Sequence, residues 1–277
     1  MTRRARRILF IISATIFLFV GYIAVLYAQG YKYSFSDGRF TRTGAIYLKS
    51  NTDAKIYIND RLVGTTSFLG NTFSKSGLLP KQYAVRVIRD GYTSWQKKVT
   101  VQEGFVSDFE NVLILPESED ETSKIIAEID SSLYPTQTPS PSISLLKSPT
   151  PTPKPAQTPY LKPAPSLEPY YIKNKILYHV ISDKPEIITK NVSSFILDDD
   201  ESRIAWWNEN NELWVMWLKD TDYQPHHKQG DIELITRFST RIKNIAWFRG
   251  NNHIVVASLG YKIVELDTRG GINIIKL

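Results

Sequence analysis

The sequence predicts a mainly β chain carried on one N-terminal transmembrane helix, and three observations predict it. A basic tail runs into a long apolar stretch without charge. Two later regions alternate apolar and polar residues in short segments parted by polar turns, the period of half-buried strands. Between them, eleven of the chain's 15 prolines fall within residues 131–169. The abundance of aromatics (15 Tyr, 12 Phe, 6 Trp) favours strands over helices.

Composition removes several classes of chemistry. The chain has no cysteine, which excludes disulfides, thiolate zinc sites and cysteine nucleophiles together. The net charge of +6 is local: residues 1–7, "MTRRARR", hold four arginines and no acid. The remaining 270 residues set 30 basic against 28 acidic side chains, too even a balance for a nucleic-acid surface.

Residues 8–28, "ILFIISATIFLFVGYIAVLYA", are uncharged. As a helix they would span roughly 30 Å, the thickness of a bilayer core. Tyr22, Tyr27, Tyr31 and Tyr33 gather at the far end like an interfacial aromatic belt. Arg3, Arg4, Arg6 and Arg7 precede the span and place residues 1–7 in the cytoplasm, with the bulk of the chain outside it. A cleaved signal peptide is the rival reading, but the small-x-small site is poorly met, since Leu26 lies two residues before Ala28. The sequence favours an uncleaved anchor that meets the lipid bilayer through residues 8–28.

Residues 44–116 read as a small antiparallel sheet or sandwich. "AIYLKS" and "AKIYI" alternate, "NDR" turns into "LVG", and "YAVRVIRDGYTSW" puts Tyr83, Val85 and Val87 on one face. "TGAIYLKSNTDAKIYINDRLVGTT", with "LPKQYAVRVIRDGYTSWQKKVTV", resembles a PEGA domain, a short β-module of bacterial and archaeal surface proteins. Gly44, Ala54, the strand Ile56–Tyr57–Ile58, the turn Asn59–Asp60, Gly64–Thr65, Tyr83 and Gly91–Tyr92 carry the resemblance. "NTDA" at 51–54 and "PKQY" at 80–83 depart from the family by losing a turn glycine. The resemblance implies surface display or attachment and brings no catalytic residues. Asn59 and Asp60 read as turn formers that tolerate positive φ, and Thr65 and Thr66 as edge-strand residues.

Residues 117–169 read as a linker. Its acidic opening, "ESEDETSKIIAEID", suits a short helix, and the Pro-rich remainder an extended spacer that sets the reach of the C-terminal region. From 170 to 277, strand-like segments return. "IAWWNENNELWV" and "IAWFRGNNHIVV" repeat at an offset of 41, within the length of a propeller blade. A second alignment near 50 sets "RIAWW" on "HIVVAS" and "LWVMWL" on "KIVELD", and it matches four strands in order. In that register "SFILDDDESRIAWW" resembles TolB-like and WD40-like blades. About two blades and part of a third are expected, a partial β-propeller-like domain. The strand signal of "INIIKL" offers an edge for self-association.

Five tryptophans and two polar clusters are the candidates for function. Trp206, Trp207, Trp214, Trp217 and Trp247 would stack on sugar rings if exposed, and read first as packing between blades. Adjacent Trp206 and Trp207 must point to opposite faces, which would leave one ring outside the main core. Asp198, Asp199, Asp200 and Glu201 lack the glycine and distal glutamate of an EF-hand and read as a strand connector. His226 and His227 have no distant ligand in a metal spacing. The expected protein has no cofactor and no metal, and is no enzyme. It is a membrane-anchored cell-envelope protein that displays β-domains to a surface glycan or envelope protein. An envelope enzyme subunit, or a sensor acting through a membrane partner, is the alternative.

Overall fold

The computed structural model describes residues 2–135 and 169–277; the Pro-rich spacer falls almost wholly outside the described residues. The most apolar 18-residue stretch of helix α1 (Arg3–Ala28) has a mean hydropathy of 2.6, and none of the helix residues is buried. It begins five residues before the apolar run because the Thr2 hydroxyl caps it, accepting from the Ala5 amide at 3.3 Å.

A hairpin absent from the sequence expectations comes next: β1 (Tyr31–Ser34) and β2 (Arg39–Arg42). It folds back on the end of α1, where Tyr27 meets Phe40 edge-to-face at 6.3 Å. Two sheets then enclose the first core. One has the order β6 (Thr72–Leu78), β3 (Gly44–Ser50), β9 (Val106–Val112), and the other β5 (Arg61–Thr65), β4 (Lys55–Ile58), β7 (Gln82–Ile88), β8 (Trp95–Thr100). The module is therefore mixed rather than purely antiparallel: β9 runs parallel to β3, since the chain crosses from the second sheet back to the first. Ile46, Leu48, Ile56, Val85, Val87 and Trp95 are buried between the sheets.

The acidic segment is α2 (Glu119–Leu133), with Glu119, Asp120 and Glu121 in its first turn, where the helix dipole favours them. Ile125, Ile129 and Leu133, spaced four apart, form its buried stripe. They pack on Phe248, Val255 and Ile263, so this half of the expected linker belongs to the C-terminal core.

That core is built of three antiparallel meanders, each with its strands in sequence order. They are β10 (Tyr170–Lys173) to β12 (Lys184–Lys190) through β11 (Ile176–Ile181); β13 (Val192–Leu197), β14 (Arg203–Asn208), β15 (Glu212–Trp217) and β16 (Ile232–Arg237); and β17 (Asn244–Phe248), β18 (His253–Ser258), β19 (Gly260–Glu265) and β20 (Ile274–Lys276). The alignment near 50 is the structural one, since β14 and β18 are both second in their sheets and β15 and β19 both third. The repeat at 41 pairs β14 with β17, a second strand with a first, and reflects similar turns.

The two β-domains touch, and this corrects the expectation of a spacer carrying one outward from the other. The Lys98 amide on β8 donates to the Gly270 carbonyl at 3.1 Å. Gly270 has φ of +68°, and a Cβ there would strike the Lys98 backbone. Only glycine suits both the left-handed backbone and the close approach.

Candidate functional site

The most polar interior of the molecule lies where β8 meets the C-terminal domain. Strand alternation puts Trp95, Lys97 and Val99 on the same inward face, so the Lys97 ammonium is buried among apolar neighbours. Two carboxylates meet it: Glu265 at 3.2 Å, from the end of β19, and Asp267 at 3.6 Å. Lys97 also donates to the Asp267 carbonyl. The Trp95 indole donates to Glu265 at 3.2 Å, and Asn273 Nδ2 to the same carboxylate at 2.9 Å. Arg269 closes the chain of charges on Asp267 at 2.6 Å and lies 4.3 Å above the Phe109 ring.

Gln224 ties a third loop into the seam. Its Oε1 accepts from the Asp108 amide at 3.2 Å and from Arg269 at 2.7 Å, while its Nε2 donates to the Val106 carbonyl at 2.9 Å. Two cations and two carboxylates thus neutralise one another across the joint. Burial pushes the Glu265 carboxyl above its ordinary range, against the pull of Lys97. Burial, then Lys97, pushes His253 down to about 4. Asp108 is raised by burial and by Glu110, with Arg269 opposing.

Beside the cluster lies a cavity of about 30 Å3 lined by Arg203, Trp217, His227, Asn252, Glu265 and Asp267. It has room for water and is far below the volume a sugar or cofactor needs. An open groove of about 710 Å3 runs next to it, between Thr100, Phe105 and Val106 on one side and Pro225, His226 and Gly270 on the other.

The sequence candidates are distributed through the architecture. Trp206 and Trp207 do face opposite ways, but neither ring lies outside a core. Trp206 packs with Tyr170, Leu177 and Ile204, and Trp207 with Leu213, Trp217 and Ile254. The first meander, larger than the fragment expected, covers the second face. Trp214 stacks parallel to Trp206 at 6.4 Å, and Trp247 lies under the Arg203 guanidinium at 5.3 Å. The four rings are not gathered on one exposed face.

Asp198 is buried, and both its oxygens are occupied by Ser202 and Arg203, at 2.7–2.9 Å. Burial raises its pKa, but these hydrogen bonds and the Arg203 charge outweigh it and hold the carboxyl below the usual range. Asp199, Asp200 and Glu201 sit on the exposed turn beyond it. His226 is exposed; His227 stacks on Trp217 at 3.5 Å, and burial lowers its pKa.

Asn59 and Asp60 have φ of 49° and 63° and make the two-residue turn between β4 and β5. Gly44 lies where the turn after β8 crosses β3, Gly64 is within edge strand β5, and Gly91 has φ of +76°. Tyr92 packs against the first core with Arg89 above its ring at 4.5 Å. Asn51, in the "NTDA" turn, pairs its side-chain amide with both the N–H and the carbonyl of Ile114 at 2.9 Å. Arg3, Arg4, Arg6 and Arg7 form the first turns of α1.

The seam residues are not among the sequence candidates, yet one signal points to them: Lys97 holds an inward position between Trp95 and Val99, and a charge at such a position needs a partner. Glu265 and Asp267 carry no comparable mark.

The profile described as PEGA domain matches residues 43–113, the stretch from just before β3 to just after β9. No curated protein matches the chain.

Proposed function

We propose that this protein is a single-pass membrane protein with residues 1–7 in the cytoplasm, whose PEGA-like module and C-terminal meanders form one non-catalytic body displayed in the cell envelope. The carrying observation is the contrast within residues 3–113. An apolar helix with no residue buried against the body leads, through one hairpin, into a stretch that matches the PEGA domain. A bilayer is the medium that such a helix suits.

On this reading the three meanders are successive propeller-like blades that pack on one another and on α2 without closing a ring. The partner is a surface glycan or an envelope protein, met by the outer surfaces of the body. The seam favours a structural over a catalytic reading, because Lys97, Glu265, Asp267 and Arg269 are spent on each other.

The test is co-sedimentation of residues 31–277 with isolated cell envelopes, before and after enzymatic removal of surface glycans. Binding that vanishes with the glycans identifies a glycan partner, and binding that persists identifies a protein. Absence of binding from both preparations overturns the display reading.

A further inference from the structure

The hairpin and the turn after β8 carry large rings that the body leaves mostly in solvent. Phe35, at the hairpin tip, is 91% exposed, and Phe105, in the turn between β8 and β9, is 66% exposed. A single exposed ring is ordinary on a protein surface, and what distinguishes these two is where they lie.

Their position says which surface they meet. A short ladder of hydrogen bonds starts at the end of α1 and reaches both. The Gly30 carbonyl, two residues past α1, accepts from the Thr43 amide at 2.9 Å and the Thr43 hydroxyl at 2.7 Å. The Thr43 carbonyl accepts from the Gly104 amide at 3.3 Å, and the Phe105 carbonyl accepts from the Ala45 amide at 2.9 Å. The turn bearing Phe105 is thus pinned beside the point where the helix leaves the body. The hairpin is held there too: Tyr27 of α1 meets Phe40, Phe40 meets Tyr33 at 5.4 Å, and Tyr33 meets Phe35 at 5.1 Å. An aromatic chain therefore runs from the last turn of α1 to the hairpin tip.

Charge supports the same partner. Residues 29–43 and the turn 101–105 carry Lys32, Arg39 and Arg42 against Asp37 and Glu103, a net +1 that leans toward anionic headgroups. By contrast Phe68, 98% exposed, belongs to the other end of the module: β3 pairs Gly44 with Leu78 and Lys49 with Thr72, and Ser67 bonds to Thr72.

We propose that the end of the PEGA-like module nearest α1 is itself a lipid-binding surface, with Phe35 and Phe105 seated in the headgroup region of the bilayer that α1 spans. Aromatic rings favour that depth, and two such contacts beside a spanning helix fix the tilt of the body on the membrane. The inference rests on α1 being a membrane span, and the experiment separates the two.

The chain has no native cysteine, so single labels are clean. Full-length variants Leu18→Cys, Phe35→Cys, Phe105→Cys and Phe68→Cys, each carrying an environment-sensitive fluorophore, are reconstituted in vesicles of phosphatidylcholine and phosphatidylglycerol. Lipids bearing a quencher in the headgroup region or deep in the acyl chains are then added. The expected result is quenching at 18 by the deep quencher, several-fold stronger headgroup quenching at 35 and 105 than at 68, and weaker quenching at 35 and 105 in high salt.

An unquenched label at 18 overturns the membrane-span reading itself. Quenching at 18, with either 35 or 105 no more quenched than 68, overturns the lipid surface alone and leaves those rings for a protein neighbour. Equal quenching at 35, 105 and 68 means a body lying on its side, and overturns the assigned face.

Discussion

Two joints hold the N-terminal part of the chain, the PEGA-like module with α2 after it, to the C-terminal meanders, and their chemistries are opposite. At the α2 joint, Ile125, Ile129 and Leu133 press an apolar stripe onto β17, β18 and β19, with charged contacts confined to the rim. At the β8 joint, a buried ammonium meets two carboxylates, one of which also accepts from an indole N–H. The first supplies adhesion, about 1.5–3 kcal/mol for each large apolar side chain buried, with little demand on orientation. The second adds little net free energy once desolvation is counted, yet it tolerates only one register because each charge must find its partner. The difference teaches how one body is made from two modules: an oily contact holds, and a polar contact aligns.

That contrast is open to attack, first at its most charged point. Replacing Lys97→Met leaves Glu265 buried without its cation, while Arg269 still holds Asp267, and unfolding of the full chain in nanodiscs, followed by tryptophan fluorescence, should show a loss of about 4 kcal/mol. Adding Glu265→Leu should restore much of it. A single substitution costing under about 1 kcal/mol would sink the account of a desolvated cluster.

At the oily joint, Ile129→Ala should cost about 3 kcal/mol through the cavity it opens, in high salt as in low. A strong salt dependence there would erase the distinction between the joints.

The third prediction concerns pH. Between pH 6.5 and about 4 the unfolded chain binds a proton at His253 that the folded chain refuses, so stability falls as pH drops through that window, by up to about 3 kcal/mol. Glu265 has the opposite sign: its folded carboxyl keeps its proton to higher pH, so its contribution is full below 4.5 and fades as pH rises. His253→Gln should abolish the acid-side loss and leave the Glu265 slope. A variant that loses stability with acid as steeply as the parent would remove His253 from the account.

The smallest effect lies at the rim, where Tyr261 donates to Asp130 of α2 and its phenol is pushed up to about 12 by that hydrogen bond. Tyr261→Phe should cost about 1 kcal/mol, and a larger loss would mean that the α2 joint also depends on polar contacts.

Much of this architecture was legible because each buried strand advertises its period. Ile56 and Ile58, or Val85 and Val87, alternate inward without exception, and the Asn59–Asp60 turn between β4 and β5 needs residues that accept positive φ. Strand β6 was unreadable because it is an edge strand with no buried residue, so no face constrains its sequence. The β1–β2 hairpin was short and mostly exposed, and only "SDG" between "YKYS" and "RFTR" hinted at it. The site was less legible than the fold. Lys97 announced itself by parity, but its partners come from 168 and 170 positions further on, and no local pattern joins residues so far apart. The tryptophans misled for a related reason: a ring beside another ring looks exposed until the sheet covering the second face is known.

The docking of α2 has a consequence for the stretch it precedes. Leu133 is seated in the C-terminal core, and Tyr170 begins that domain's first sheet, so the described chain on both sides of residues 136–168 belongs to a single body. Their covalent continuity is then not what keeps the halves together. A protease that cut anywhere within them would yield two fragments, one bearing α1 and one bearing β10 to β20, that remain associated through both joints. Such a nicked chain would migrate as two bands when denatured and as one particle in its native state, with the fragment that lacks α1 held by the fragment that carries it.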